Sequence, residues 1–596
     1  MSSQPLDVSR NRTELVWAGK RTHVDRVALP FQRVETINAP RGGDMFSALQ
    51  DGGGWRNKLI WGDNKLVMAS LLRGDANAGV ESLAGKVDLI YTDPPFDTGA
   101  DFTVYTQIGD EEIQKAPSML EQLAYRDTWG KGTDSYLQMM YERLVLMREL
   151  LSDSGGICVH LDFHAAHYVK ILMDEVFSQV NFVNEIIWQY KNKPLFSFAQ
   201  HFPRDYDVVL RYVKNFGKHV HKHQNVAVER ARKQNVITWD AKQQKRVSKR
   251  DEHGNVVYDW RTEKIVGSVW DIPMVNPNGG ERLDYATQKP EALVERIISS
   301  SSNEGDLVLD GFAGSGTTAA VAEKLGRRWI ACDLSRFSIH TTRKRLLELG
   351  ATFDVLNLGK YERSHWQGVT LGDQLRAYVD FILSLYRAEP VPGFRHLHGK
   401  RAGRAVHVGA VDAPITFNEV PDVLAECRET HTLSVDVLGW EWEMGVNQQA
   451  PQQAESFGVD LRLYQIPNDV MDRRAKEAEV RFYSLAYLEA EVLPVQARTV
   501  QVELKDFVIP DMDLIPAAVR DKISRWSDYI DYWAVDFDYR GDTFCNAWQG
   551  FRTRARRTLD TVSATYTYEQ PGAHTVLVKV VDIFGIDSTR QLEVTV

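Results

Sequence analysis

The chain has 596 residues, 43% hydrophobic and 26% charged, which excludes a largely disordered or collagen-like protein and predicts roughly two to four globular domains. No apolar run reaches the roughly 18 residues a membrane helix needs, and the N-terminal MSSQPLDVSRNRTELVWAGKR lacks the apolar core of a signal peptide. The net charge is -10, and Cys158, Cys332, Cys427 and Cys545 form no CxxC pair, so a disulfide framework or cysteine-rich zinc site is not expected and a cytoplasmic location is.

In chain order, KLIW (from Lys58) reads as a short strand, Gly62-Asp63-Asn64 as a turn, and the run to Leu72 as a helix. A second apolar strand, Val87 to Tyr91, runs into Pro94-Pro95, which must end it because proline donates no ladder hydrogen bond. Leu137, Met140, Tyr141, Leu144, Met147 and Leu151 keep helical spacing. The strand ICVHLD, a helix over Tyr168 to Phe177 and a strand from Glu185 come next. From Arg211 to Glu263 the rhythm breaks into a basic stretch with no clear period. It resumes with the strand Leu307 to Asp310, the helix Thr317 to Leu325 and the strand Arg327 to Asp333. This alternation predicts an α/β fold with a mostly parallel, doubly wound, Rossmann-like sheet.

Past Lys360 the character changes. EPVPG (Glu389 to Gly393) reads as a linker or loop, and AVHVG, LSVDVLGW and LRLYQIP alternate with helical stretches, giving a smaller α/β unit. The last hundred residues alternate as β structure does, for instance at Val576, Val578 and Val580 and again at Leu592, Val594 and Val596. The expected domains are 1–360 with a basic insert at 214–264, 361–500, and a β-rich module at 501–596.

Asp93-Pro94-Pro95-Phe96 comes directly after a predicted strand, where parallel sheets bind ligands. A carboxylate there can accept from an amino group, the prolines fix the backbone, and an aromatic ring offers a base a stacking face. A plain strand-end turn would also use Asp and Pro. Asp310-Gly311-Phe312-Ala313-Gly314-Ser315-Gly316-Thr317-Thr318 sits between a strand and a helix. Its glycine spacing matches neither GxGxxG nor GxxxxGK[ST]. The glycines admit close approach of a ligand, and the helix start attracts a carboxylate. Asp333, 23 residues after Asp310, ends the next strand, where an acid binds ribose hydroxyls. Together these fit a nucleoside ligand without a phosphate chain; the alternative is a tight turn of small residues. Thr287-Gln288-Lys289-Pro290 could simply open a helix.

In the order GDN, DPPF, TQKP, FAGSGTT, these motifs resemble the β class of S-adenosylmethionine-dependent DNA amino-methyltransferases, which includes the modification (Mod) subunits of type III restriction systems. TDPPFDTGADF is similar to their DPPY-N-T-G pattern, and the resemblance covers about Lys58 to Leu349. Phe96 replaces the commoner Tyr, Asp97 replaces Asn, and Gly311 stands where Pro is usual. The resemblance implies S-adenosylmethionine as cofactor and direct in-line methyl transfer to an exocyclic amine. By it, Asp93 and the Pro94 carbonyl would accept from the amine of a flipped base, with Pro95 completing the catalytic turn and Phe96 stacking on the ring. Phe312, Ala313, Gly314, Ser315, Gly316 and Thr317 would line the cofactor together with Asp310. Asp333 would hold its ribose, Asp63 and Asn64 would lie at its adenine, and Thr287, Gln288 and Lys289 near its carboxylate. The DPPF form implies adenine N6; cytosine N4, or a DNA-recognition subunit without turnover, are the alternatives. The C-terminal module resembles small immunoglobulin-like domains of the PKD type.

The insert holds 13 Lys and Arg against 6 Asp and Glu, a local +7 on a body of -17. It interleaves them with Gln, Asn, Trp239 and Trp260, as a surface reading base edges would, although charge runs are often only solvated loops. Lys242, Lys245, Arg246, Lys249 and Arg250 are its expected DNA contacts. His219, His221 and His223 alternate there, but without further ligands no metal is expected. The expected partner is double-stranded DNA; a homodimer and a restriction or defence-system subunit are compatible with the sequence.

Overall fold

The computed structural model describes residues 14–37, 55–76, 78–95, 104–108, 111–115, 133–190, 202, 204–240, 244–276, 279–283, 285, 287–358, 373–410, 415, 419–440, 446–466, 482–484, 487–508, 525–540, 544–552, 558–582 and 587–596. Its frame is one eleven-stranded sheet. The strands are β1 (Gln32–Ile37), β2 (Asn57–Trp61), β3 (Val87–Thr92), β4 (Leu151–Leu161), β5 (Phe182–Gln189), β6 (Tyr206–Val213), β7 (Val269–Asp271), β8 (Leu307–Asp310), β9 (Arg328–Asp333), β10 (Phe353–Asn357) and β11 (Phe544–Asn546). They lie in the order β7-β5-β6-β4-β3-β8-β9-β2-β10-β1-β11. From β4 through β10 every pair is parallel. β6 runs antiparallel to both its neighbours, and β1 antiparallel to β10.

The central strands are apolar on both faces because helices cover both. Along β2 and β3, Ile60 and Ile90 enter one core with Val67, Leu144 and Leu172, while Leu59 and Leu89 enter the other with Leu293, Ile297 and Val321. Helices α1 (Asn64–Arg73), α2 (Thr133–Leu150) and α3 (Ala166–Phe177) supply the first layer; α4 (Glu291–Ser301), α5 (Thr317–Lys324) and α6 (Arg336–Glu348) supply the second. The doubly wound α/β fold is therefore present, with an antiparallel strand inside it.

The basic insert is not a loop. Asn225–Asn235 pairs antiparallel with Tyr258–Ile265, and beyond them Ile237–Asp240 pairs with Lys245–Ser248. The smaller α/β unit has a parallel centre, Arg404–Val408, Ser434–Gly439 and Asp460–Gln465, with cores on both faces. Glu389–Pro390, read from sequence as part of a linker, is an edge strand of that sheet, paired with Gly399–Arg401. In the β-rich module a three-stranded and a four-stranded sheet share a core around Trp533, Val502 and Val578. The strand Tyr487–Gln496 contributes Leu488 and Ala490 to that core. Among the described residues no helix is long and apolar enough to cross a membrane.

Candidate active site

Four adjacent parallel strands, β3, β8, β9 and β2, end on one side of the sheet, and each delivers an acid there: Asp93, Asp310, Asp333 and Asp63. All four line one cleft, with Asn64, Pro94, Pro95, Thr287, Lys289, Phe312, Ala313, Gly314, Ser315 and Thr317. Gly311 and Thr318 of the same glycine loop also line it, as do Tyr91, Arg143 and Leu334, which belong to none of the sequence motifs. Phe96 and Lys242 lie outside the described residues.

Two expected residues stand apart from the cleft lining. Gln288 braces its own loop: its Oε1 accepts from Leu283 N at 2.8 Å and its Nε2 donates to the Glu281 carbonyl at 2.7 Å. Gly316, at φ +72°, precedes α5, and a Cβ there would meet the Thr342 side chain at 2.6 Å. Its role in the fold is close approach between α5 and α6.

The glycine loop is held from several sides. Asp333 Oδ2 accepts from Gly314 N at 2.8 Å and Oδ1 from Ser335 N at 2.9 Å. Thr318 Oγ1 donates to Asp310 Oδ2 at 2.5 Å, and Phe312 N to Oδ1 at 3.0 Å. Asp63 caps α1 by accepting from Lys65 N at 2.7 Å, and receives Arg143 Nη2 at 3.2 Å. Arg143 also donates to Asn64, whose Nδ2 donates to the Gly311 carbonyl at 2.8 Å. Beneath Asp93, Tyr91 Oη lies 3.0 Å from His160 Nδ1, and His160 Nε2 lies 3.2 Å from Asp207 Oδ2. Burial opposes ionisation of Asp207, but its hydrogen bond with His160 leads the contributions that hold it below the usual carboxylate range.

The two oxygens of Asp93 have different surroundings. One oxygen, Oδ2, pairs with Lys289 Nζ. The other, Oδ1, is buried with no hydrogen-bond partner among the described residues, a costly state unless a donor meets it. The donor set also fits S-adenosylmethionine as a whole. Of the four carboxylates lining the cleft, two are paired with Lys289 and Arg143 and two face no cation there, so the lining favours a ligand carrying positive charge, which a sulfonium and an ammonium supply.

That excess of acids has a measurable signature. Burial, reinforced by Asp93 and Asp333, pushes the Asp310 carboxyl up to about 7, against the hydrogen bonds from Thr318 and Phe312. The raised value means that Asp310 favours the fold most when protonated. That contribution is full below about pH 4 and is lost as pH rises through about 7. Binding of a cation has the opposite sense, because it favours the ionised form. Cofactor affinity by calorimetry should therefore rise between about pH 6 and 8, and Asp310→Asn should flatten the rise. A pH-independent affinity in the unaltered protein would exclude Asp310 from that role.

An open α/β sheet whose strand ends gather these acids and a glycine turn around one cleft defines the class: an S-adenosylmethionine-dependent methyltransferase. Residues 87–344 match the family model described as DNA methylase. Two curated relatives and one solved structure illustrate the likeness. A DNA adenine methyltransferase, YhdJ, of Escherichia coli is 26% identical over 295 residues, 49% of this chain and 87% of the relative. The Mod subunit of the type III restriction-modification enzyme StyLTI of Salmonella typhimurium is 27% identical over 352 residues, 47% of this chain and 52% of the relative. The crystal structure of an M1.HpyAVI–SAM complex aligns with 48% of this chain and 98% of its own at 20% identity, with a TM-score of 0.30.

Proposed function

We propose that the protein methylates the N6 amine of an adenine extruded from double-stranded DNA, as the modification component of a restriction or defence system. The observation that carries this reading is the open, buried Asp93 Oδ1 in the same cleft as Gly314 and Asp333. S-adenosylmethionine, when bound, supplies the activated methyl group. Asp93 Oδ1 accepts a hydrogen bond from the amine and the Pro94 carbonyl a second, which aims the nitrogen lone pair. The cofactor would supply the methyl group and leave as a neutral thioether, and the methylated amine would release one proton to water. Asp93 faces the positive charge developing on the amine, the kind of preorganised stabilisation that works best out of water. Lys289 holds Asp93 Oδ2, so that the two carboxylate oxygens have separate tasks. The base must first leave the stack, at a cost of a few kcal/mol. The adenine specificity in the name of one relative, and the Mod subunit of a type III system as another, support the choice of base and setting.

The insert supplies the groove-facing element. A two-stranded antiparallel ribbon fits a major groove. Here Trp239 and Trp260 are 62% and 63% exposed, Trp239 lies opposite Arg246, and Trp260 opposite Lys233. Lys245, Arg246, Lys249 and Arg250 are all exposed. Of the three histidines, His221 Nδ1 accepts from Arg211 Nη1 at 3.0 Å.

Long-read sequencing of DNA from cells expressing the protein tests the main reading. N6-methyladenine in a fixed sequence context is the expected result, whereas N4-methylcytosine or no modification would overturn the choice of base or the activity. For the ribbon, replacing Lys245, Arg246, Lys249 and Arg250 with alanine should weaken duplex binding. The slope of log K against log salt should fall by about 0.9 for each phosphate that is no longer neutralised. An unaltered slope in fluorescence anisotropy would remove these four from the interface.

A further inference from the structure

We propose that the C-terminal β-rich module is a positioning element for the cofactor loop, acting through α6. The helix has two working faces. Ser338, Thr342 and Arg345, spaced as one helical stripe, hold the loop: Ser338 Oγ and Thr342 Oγ1 donate to the Gly314 carbonyl at 2.6 and 3.2 Å, and Arg345 Nη1 donates to the Ser315 carbonyl at 3.2 Å. His340, Arg343 and Lys344 form a second stripe turned to the module. His340 and Lys344 both meet Asp531, the latter at 3.1 Å. Arg343 lies over the Tyr532 ring at 4.1 Å, and the His340 ring stacks on the same tyrosine.

The module is also built into the sheet. β11 pairs in parallel with β1, and Glu35 of β1 is held by Arg343 of α6, by Lys579, and by Asn546 of β11. The rotation and height of α6 are thereby fixed from outside the catalytic domain. Since the same helix supplies two of the hydrogen bonds to the Gly314 carbonyl, the module sets where the loop stands. A tether that merely joined two domains would need none of these interactions.

The test uses the full chain. Asp531→Ala removes the anchor of His340 and Lys344 while leaving every cleft residue in place. Its affinity for S-adenosylmethionine in calorimetry should fall about tenfold, in the range of ordinary intersite coupling. Affinity for a short duplex should stay within about twofold, and hydrogen exchange at the amides of Gly314 to Thr317 should quicken. Asp531→Glu should restore most of the loss. Unchanged cofactor affinity and unchanged exchange in Asp531→Ala would overturn the proposal; so would equal losses of cofactor and DNA affinity, the mark of a purely structural role. If Asp531→Ala does not fold, Lys344→Met removes only a part-exposed partner. It should shift cofactor affinity about threefold in the same direction, and no shift there counts against the proposal. The proposal rests on S-adenosylmethionine as the ligand of the cleft. An unaltered protein that does not bind it would defeat that reading, whereas normal binding by Asp531→Ala defeats only this one.

Discussion

Asp93→Ala should cost methyl transfer roughly 100- to 10,000-fold in kcat, the span expected when a positioned charged acceptor is removed from the reacting group. Cofactor affinity should change far less, because the glycine loop, Asp310 and Asp333 keep their own hydrogen bonds. Asp93→Asn should fall between the two, since the amide oxygen still accepts but carries no charge. Single-turnover methylation of a short duplex with labelled cofactor, beside calorimetry, separates the two effects. Equal losses of rate and cofactor binding would assign Asp93 to the cofactor and not to the amine.

Glu35→Ala should be the most destabilising single change at the junction between the catalytic sheet and the module. Glu35 is 1% exposed. Burial opposes its ionisation, yet Arg343 and Lys579 hold its carboxyl below the usual range. Removing it takes a buried carboxylate away from two buried cations, and breaking a buried pair from one side costs about 3–5 kcal/mol. Denaturant unfolding of the full chain reads this directly. The matched triple change Glu35→Met, Arg343→Met, Lys579→Met should recover most of the loss, because the whole charged cluster is then replaced by apolar side chains. A single change that costs less than about 1 kcal/mol would mean that water reaches the cluster.

The candidate site could be read from the chain because its markers are local. A buried parallel strand is a short apolar run, and the residues at its end are conspicuous: two prolines after Asp93, glycines after Asp310, an acid closing the strand at Asp333. Tyr91 and Arg143 escaped that reading for a different reason. Tyr91 looks like one more apolar strand residue, and Arg143 like a surface charge on an amphipathic helix. Only the packing of α2 against α1 turns Arg143 toward Asp63.

The ribbon was illegible because both of its faces meet solvent, so no alternation is imposed on its sequence. β1 was illegible for the reverse reason. QRVETI is too polar to suggest a buried strand, and Glu35 is tolerated there only because Arg343 and Lys579 arrive from elsewhere in the chain.

The partnership of β1 with β11 orders events during synthesis. Asn546 lies 511 positions beyond Glu35, so a growing chain carries an open β1 edge until that late segment emerges from the ribosome. An open edge is a template for pairing with other chains. Ribosomes that stop short of Phe544 would therefore release a protein with every residue of the cleft complete and its flank sticky, prone to clump with its siblings.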